Sequence, residues 1–141
     1  MIPARLTELV EKQLGNVHRT QLGLVIDALA ELEIQPDCEF GEFFMTYKIT
    51  LYKGSVFRSE LCDISEPSND IALSTRFIHE AWGLKENFIC FTSCEGEGGY
   101  LYDRDTGKVW DFSLATRQDF IDGKDQPRWN GFFEFMIWYL S

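Results

Sequence analysis

The sequence is short of positive charge. Thirteen lysines and arginines stand against 23 aspartates and glutamates, a formal net charge of −10. Contacting phosphates takes a positive face, so this balance argues against a protein that binds nucleic acid directly. It argues equally against attraction to an anionic membrane surface. Long apolar runs are also missing, and the longest fall well short of the ~20 residues that cross a bilayer. The opening MIPARLTELVEK carries charge throughout and lacks the apolar stretch of an export signal. There is no internal repeat, no low-complexity tract and no linker rich in proline, glycine or serine. At 141 residues the chain fits one compact unit. Together these features predict a single soluble, unexported, cytoplasmic domain spanning 1–141.

There is ample material for a core. The chain is 45% hydrophobic and 15% aromatic, far from the composition of a disordered segment. Its four cysteines are Cys38, Cys62, Cys90 and Cys94. An even count would suit two disulfides in a small secreted protein, but a chain of this length and apolar content does not need such staples. Three of the four lie inside apolar runs, where a free thiol behaves as a small buried hydrophobe. The acidic excess has two readings. It steers encounter with a basic protein partner, or it keeps the protein soluble and nothing more.

Apolar spacing predicts helices in the first third. Leu6, Leu9, Val10 and Leu14 recur at helical period before Gly15, a plausible stop. Thr20 is a candidate cap for a second helix through Leu22, Val25, Ile26, Leu29 and Leu32. Asp37 is one for a third helix holding Phe40, Phe43, Phe44 and Tyr47, despite the cost of Gly41 within it. Residues 48–64 are β-branched and aromatic around Lys53-Gly54, which predicts strand material with a turn. Glu66-Pro67-Ser68-Asn69 predicts a loop, and Asp70 or Ser74 then opens a helix through Phe77, Ile78, Ala81 and Trp82, closed by Gly83. Strands follow from Phe88 to Thr92, from Gly99 to Tyr102 and from Lys108 to Phe112. The last two are joined by Asp103-Arg104-Asp105-Thr106-Gly107, with glycine at the left-handed position. The chain ends in a strongly apolar helix from Asn130 that must dock to be soluble. Helices, a strand meander and a closing helix predict an α+β domain, a mainly antiparallel mixed sheet flanked by helices.

Three motifs resemble sites and fit them poorly. Glu95-Gly96-Glu97-Gly98-Gly99 looks like a phosphate cradle, but such loops lead into a helix and this one leads into a strand. Its glycines suit a tight turn or bulge, and its carboxylates suit a cationic partner. Asp103-x-Asp105-x-Gly107 is not a calcium loop, because Lys108 and Leu114 stand where glycine and a carboxylate are required. Cys90 and Cys94, with His79 upstream, lack the second ligand pair of a zinc site. No serine or cysteine sits in a recognisable nucleophile setting. The expectation is therefore no enzyme, no metal and no cofactor.

The last third resembles the SUKH superfamily, which includes immunity proteins of bacterial polymorphic toxin systems and a yeast cell-wall synthesis regulator. The resemblance is carried by GLKENFICF at 83–91, EGEGGYLYD at 95–103, TGKVWD at 106–111 and FFEF at 132–135. Residues 36–47 resemble the family's early helix. Lys48-Ile49 replaces the asparagine–glycine pair common after that helix, and the first two helices are longer than usual. The resemblance implies an α+β SUKH-like fold and toxin immunity: stoichiometric binding to a cognate, basic toxin domain such as a nuclease. An intracellular regulatory or scaffold module of the same fold is the second implication. A third reading, apart from the resemblance, is a small hydrolase or metal-binding enzyme. The expected contact residues are Glu95, Glu97, Asp103, Asp105, Trp110 and Asp111, with carboxylates steering and an aromatic anchoring. Strand alternation places Tyr100 and Tyr102 on one face and Leu101 on the other; Trp110 shares a face with Phe112 or, if a bulge shifts the register, turns towards solvent.

Overall fold

The helical periods of the first third close into helices that turn one stripe inward. Helix α1 (Ala4–Glu11) buries Leu6, Leu9 and Val10; α2 (Leu22–Glu31) buries Val25, Ala28 and Leu29; α3 (Glu39–Thr46) buries Phe40, Phe43 and Phe44. There follow α4 (Asp70–Glu80), strands β1 (Phe88–Cys90), β2 (Gly98–Asp103) and β3 (Val109–Ser113), a 3-10 turn (Leu114–Thr116), α5 (Arg117–Ile121) and α6 (Phe132–Leu140). The computed structural model describes residues 1–54, 59–94 and 96–141. Over these residues the protein is a single α+β domain. None of the helices among them is long and apolar enough to cross a membrane.

The sheet has the order β1-β2-β3, and both pairings are antiparallel. The expected mixed sheet is thus corrected to an antiparallel one among the described residues. A parallel pair needs a crossover of a dozen residues or more, and both connections here are shorter. The β2–β3 hairpin forms as expected: Gly107 takes φ +76° and its N–H donates to the Asp103 carbonyl at 2.7 Å.

Alternation along these strands splits the interior in two. Ile89, Tyr100, Tyr102 and Val109 face a large core shared with α1, α2, α3 and α6. Phe88, Cys90, Leu101 and Phe112 face a smaller one, closed by Ile78, Trp82 and Leu84 and by Phe120 of α5. The terminal helix docks as its composition demands, burying Phe132, Phe133, Phe135, Met136 and Tyr139. Its first turn is held from another element, since the Phe133 N–H donates to Glu39 Oε1 at 2.9 Å.

Helix ends depart from the local signals. Helix α1 stops at Glu11, and Leu14, 64% exposed, bridges Leu51 instead of extending the stripe; Gly15, at φ +91°, lies beyond the end. Helix α2 starts at Leu22 without a side-chain cap, so Thr20 is not its cap. Helix α3 is capped by the Cys38 thiol, which accepts from the Gly41 N–H at 3.4 Å, rather than by Asp37. Gly41 has a packing reason: a Cβ there would lie 2.3 Å from the Gln35 carbonyl oxygen. Asn69 caps α4, its Oδ1 accepting from the Ala72 N–H at 3.0 Å, while Ser74 lies inside the helix.

Residues 48–64 form no continuous strand among those described, contrary to expectation; positions 55–58 of this segment lie outside the described residues. The segment instead makes single antiparallel bridges to distant chain, Leu51 to Leu14 and Leu61 to Thr92. A strand needs a partner over several residues, and here each pairing is a single bridge.

Candidate functional site

The β2–β3 hairpin carries most of the expected contact residues and separates them. Trp110 and Asp111 are neighbours in β3, so their side chains leave on opposite faces. Trp110 packs in the small core, its ring centroid 5.1 Å from Phe120 and 5.9 Å from Phe88. It shares that face with Phe112, as alternation predicts. Its indole Nε1 is buried with no hydrogen-bond partner among the described residues. Asp111 leaves on the large-core side and pairs with Arg128 at 3.0 Å. The Arg128 guanidinium in turn lies 4.7 and 4.9 Å from the ring centres of Trp129 and Trp138.

Asp103 and Asp105 lie at the closed end of the hairpin. Asp103 is only 6% exposed, and its carboxylate accepts from Asn87 Nδ2 (2.9 Å), the Asp105 N–H (3.0 Å) and Thr106 Oγ1 (3.0 Å). That carboxylate organises the turn. Asp105 is exposed at the tip. At about 3.4 Å per residue, the six residues of β2 put this tip about 20 Å from the open end.

At the open end, Glu97 and Asp111 come together. They line a depression of about 340 Å³ floored by Gly98 and Gly99 and bordered by Ser59 and Ser113. Gly98 lies so close to β3 that a Cβ would approach the Phe112 carbonyl oxygen to 2.3 Å, which accounts for this glycine structurally. Glu95 lies outside the described residues.

A second depression, about 480 Å³, is lined in part by Glu60, the chain neighbour of Ser59 in the first. Its walls carry Glu60, Glu66 and Asp70, none of them expected from sequence, together with Leu61, Leu73 and Cys94. Glu66 meets Lys48 at 3.6 Å, and Asp70 accepts from Ser68 Oγ at 2.7 Å. The wall is anchored below by Asp63, which turns inward to Arg19 and accepts from the Ile49 N–H at 2.8 Å.

The cysteines are free, with Cys90 buried and Cys38, Cys62 and Cys94 half-buried. Burial pushes the Cys62 and Cys90 thiols up to about 12, and the Cys90 S–H is turned to the Thr92 carbonyl at 3.2 Å. Both therefore stay protonated at neutral pH, which removes the thiolate that nucleophilic chemistry needs. His79 is engaged by the Phe88 carbonyl through Nε2 at 2.9 Å. Among the described residues no group of three or more histidine, cysteine, aspartate or glutamate side chains is placed to hold a metal ion.

One signal for the second depression was present in the sequence. Helix α4 buries Ile71, Ser74, Thr75 and Ile78, and Leu73 and Phe77 fall off that stripe. Phe77 lies on the expected helix and is exposed. No family model matches the chain, and neither a curated protein nor a solved structure matches it.

Proposed function

We propose that this protein is a binding module that works by stoichiometric contact with a basic protein, without turnover. More specifically, we propose a cytoplasmic immunity protein of the SUKH type that neutralises a cognate bacterial toxin domain by covering it. The observation that carries the first step is that Glu60, Glu66 and Asp70 line one depression, and Glu97 and Asp111 another, of a chain with net charge −10. Opposed fields of this kind steer encounter and raise association rates. The second step is supported by the residue pattern of the last third, from GLKENFICF to FFEF.

In this reading Glu97 and Asp111 face the partner from the open end of the hairpin, with Glu95 beside them in sequence, and Asp105 is an outlying contact at the tip. Asp103 and Trp110 act from within, the first by shaping the turn and the second by seating β3 on the small core. Coexpression with the toxin domain encoded by an adjacent upstream gene tests the proposal. Rescue of growth with a one-to-one complex supports it, and Glu95→Lys with Glu97→Lys should weaken that complex and flatten its salt dependence. Toxicity without rescue removes the immunity reading and leaves a regulatory module of the same fold.

A further inference from the structure

Two apolar side chains stand out on α4 beside the second depression. Leu73 and Phe77 are one turn apart, 56% and 44% exposed, and both lie away from the buried stripe of the helix. The Phe77 ring leans on Trp82 edge to face, with centroids 5.5 Å apart, so it is seated rather than swinging in solvent. Leu73 forms part of the wall of the 480 Å³ cleft that Glu60, Glu66 and Asp70 also line. Glu66 has Lys48 at 3.6 Å, whereas Glu60 and Asp70 have no cationic partner among the described residues. An apolar anchor ringed by polar, solvent-accessible groups is the usual anatomy of a protein interface.

The charge chooses the occupant. A second copy of this chain, itself of net charge −10, would be repelled, and an acidic segment would meet the same repulsion. A basic segment with an apolar side satisfies both parts of the surface at once. We propose that the Leu73–Phe77 ridge and its cleft form a docking groove for a basic amphipathic segment of a partner protein. An apolar side chain of the partner lies on Leu73 and Phe77, and a lysine or arginine about one turn away enters between Glu60 and Asp70. The inference rests on the reading of this protein as a binding module and adds a contact surface apart from the hairpin.

The test is an amide NMR titration of the full 15N-labelled chain with a synthetic leucine–lysine amphipathic peptide. A matched leucine–glutamate peptide serves as the comparison. Saturable shifts centred on Glu66, Asp70, Leu73 and Phe77, with the lysine peptide alone, are expected. Leu73→Ser with Phe77→Ser should weaken binding at least roughly tenfold. Leu24→Ser, at an equally exposed position of α2, should leave it unchanged; the spectra themselves report whether each variant is folded. Equal binding of both peptides, shifts centred on Glu97 and Asp111 or on α2, or an unaffected double variant would overturn the groove. A complex with the toxin domain that survives Leu73→Ser with Phe77→Ser but is lost with Glu97→Lys would also overturn it, leaving the hairpin contact of the proposed function standing.

Discussion

Arg19 and Asp63 form a two-pronged ion pair closed to solvent, Nη1 to Oδ2 at 2.9 Å and Nη2 to Oδ1 at 2.7 Å. The pair ties together three stretches of chain: the segment at Arg19, residues 44–49 at and beyond the end of α3, and residues 63–66. Arg19 also donates to the carbonyls of Phe44 and Tyr47, both at 3.0 Å, and through Nη1 to Ser65 Oγ at 3.3 Å. Asp63 also accepts from the N–H groups of Ile49 at 2.8 Å and Glu66 at 3.1 Å. Every prong of both groups is thereby used, which is the condition for a buried ion pair to be tolerated.

Removing one partner strands the other. Arg19→Met should cost about 3–5 kcal/mol, because Asp63 is left charged and enclosed. Combining it with Asp63→Leu should recover a substantial part of that loss. Urea unfolding of the two single variants and the double variant measures both. A cost below about 1 kcal/mol for Arg19→Met would mean that water reaches the site and that the pair is not what holds these segments.

Asp103 should behave as a turn residue. Asp103→Ala removes the acceptor for three donors and should destabilise the protein by about 1–3 kcal/mol. Partner affinity, measured on the folded fraction, should change little. Asp105→Ala should do the reverse, with stability unchanged and a small loss of association rate at low salt. A large affinity loss for Asp103→Ala without loss of stability would return that carboxylate to the contact surface.

Gly98 should resist its smallest substitution. A Cβ at this position comes to 2.3 Å from the Phe112 carbonyl oxygen, and backbone cannot rotate aside as a side chain can. Gly98→Ala should cost about 1–3 kcal/mol and perturb amide shifts along β3. Gly96→Ala should leave β3 undisturbed, since no atom of the described residues crowds the space there, although its φ of +93° makes that change costly for a separate reason.

Alkaline pH should weaken the fold through its thiols. Burial pushes Cys62 and Cys90 up from 9.0 to about 12. Between those values the unfolded chain releases protons that the native protein keeps, so unfolding becomes easier as pH rises. The stabilising contribution is complete below pH 9.0 and disappears as pH climbs towards about 12. Denaturant midpoints across this range should fall less steeply in Cys90→Ala than in the wild type. Thiol-labelling reagents at neutral pH should leave Cys90 untouched until denaturant is added.

Outside residues 48–64 and the short helix α5, the kinds of elements and their order were legible in local patterns. A helical period of apolar residues, an alternating period of two and an Asp-x-Asp-Thr-Gly turn are local patterns, so α3, α4, the β2–β3 hairpin and the docking of α6 could be read directly. Strand alternation even placed Tyr100 and Tyr102 opposite Leu101. Helix ends were legible only to within a few residues, because Cys38, Asn69 and the distant Glu39 took the capping roles that nearer residues could have filled. What only the tertiary structure decided is which charges meet. Arg19 and Asp63 are joined across 44 positions, Asp103 is drawn inside while Asp105 stays out, and Glu60 comes to line the same cleft as Asp70. Charged side chains are long and follow no period, so their partners are set by how packed elements bring distant backbone together. The apolar stripes dictate that packing, and the charges take the positions it leaves them.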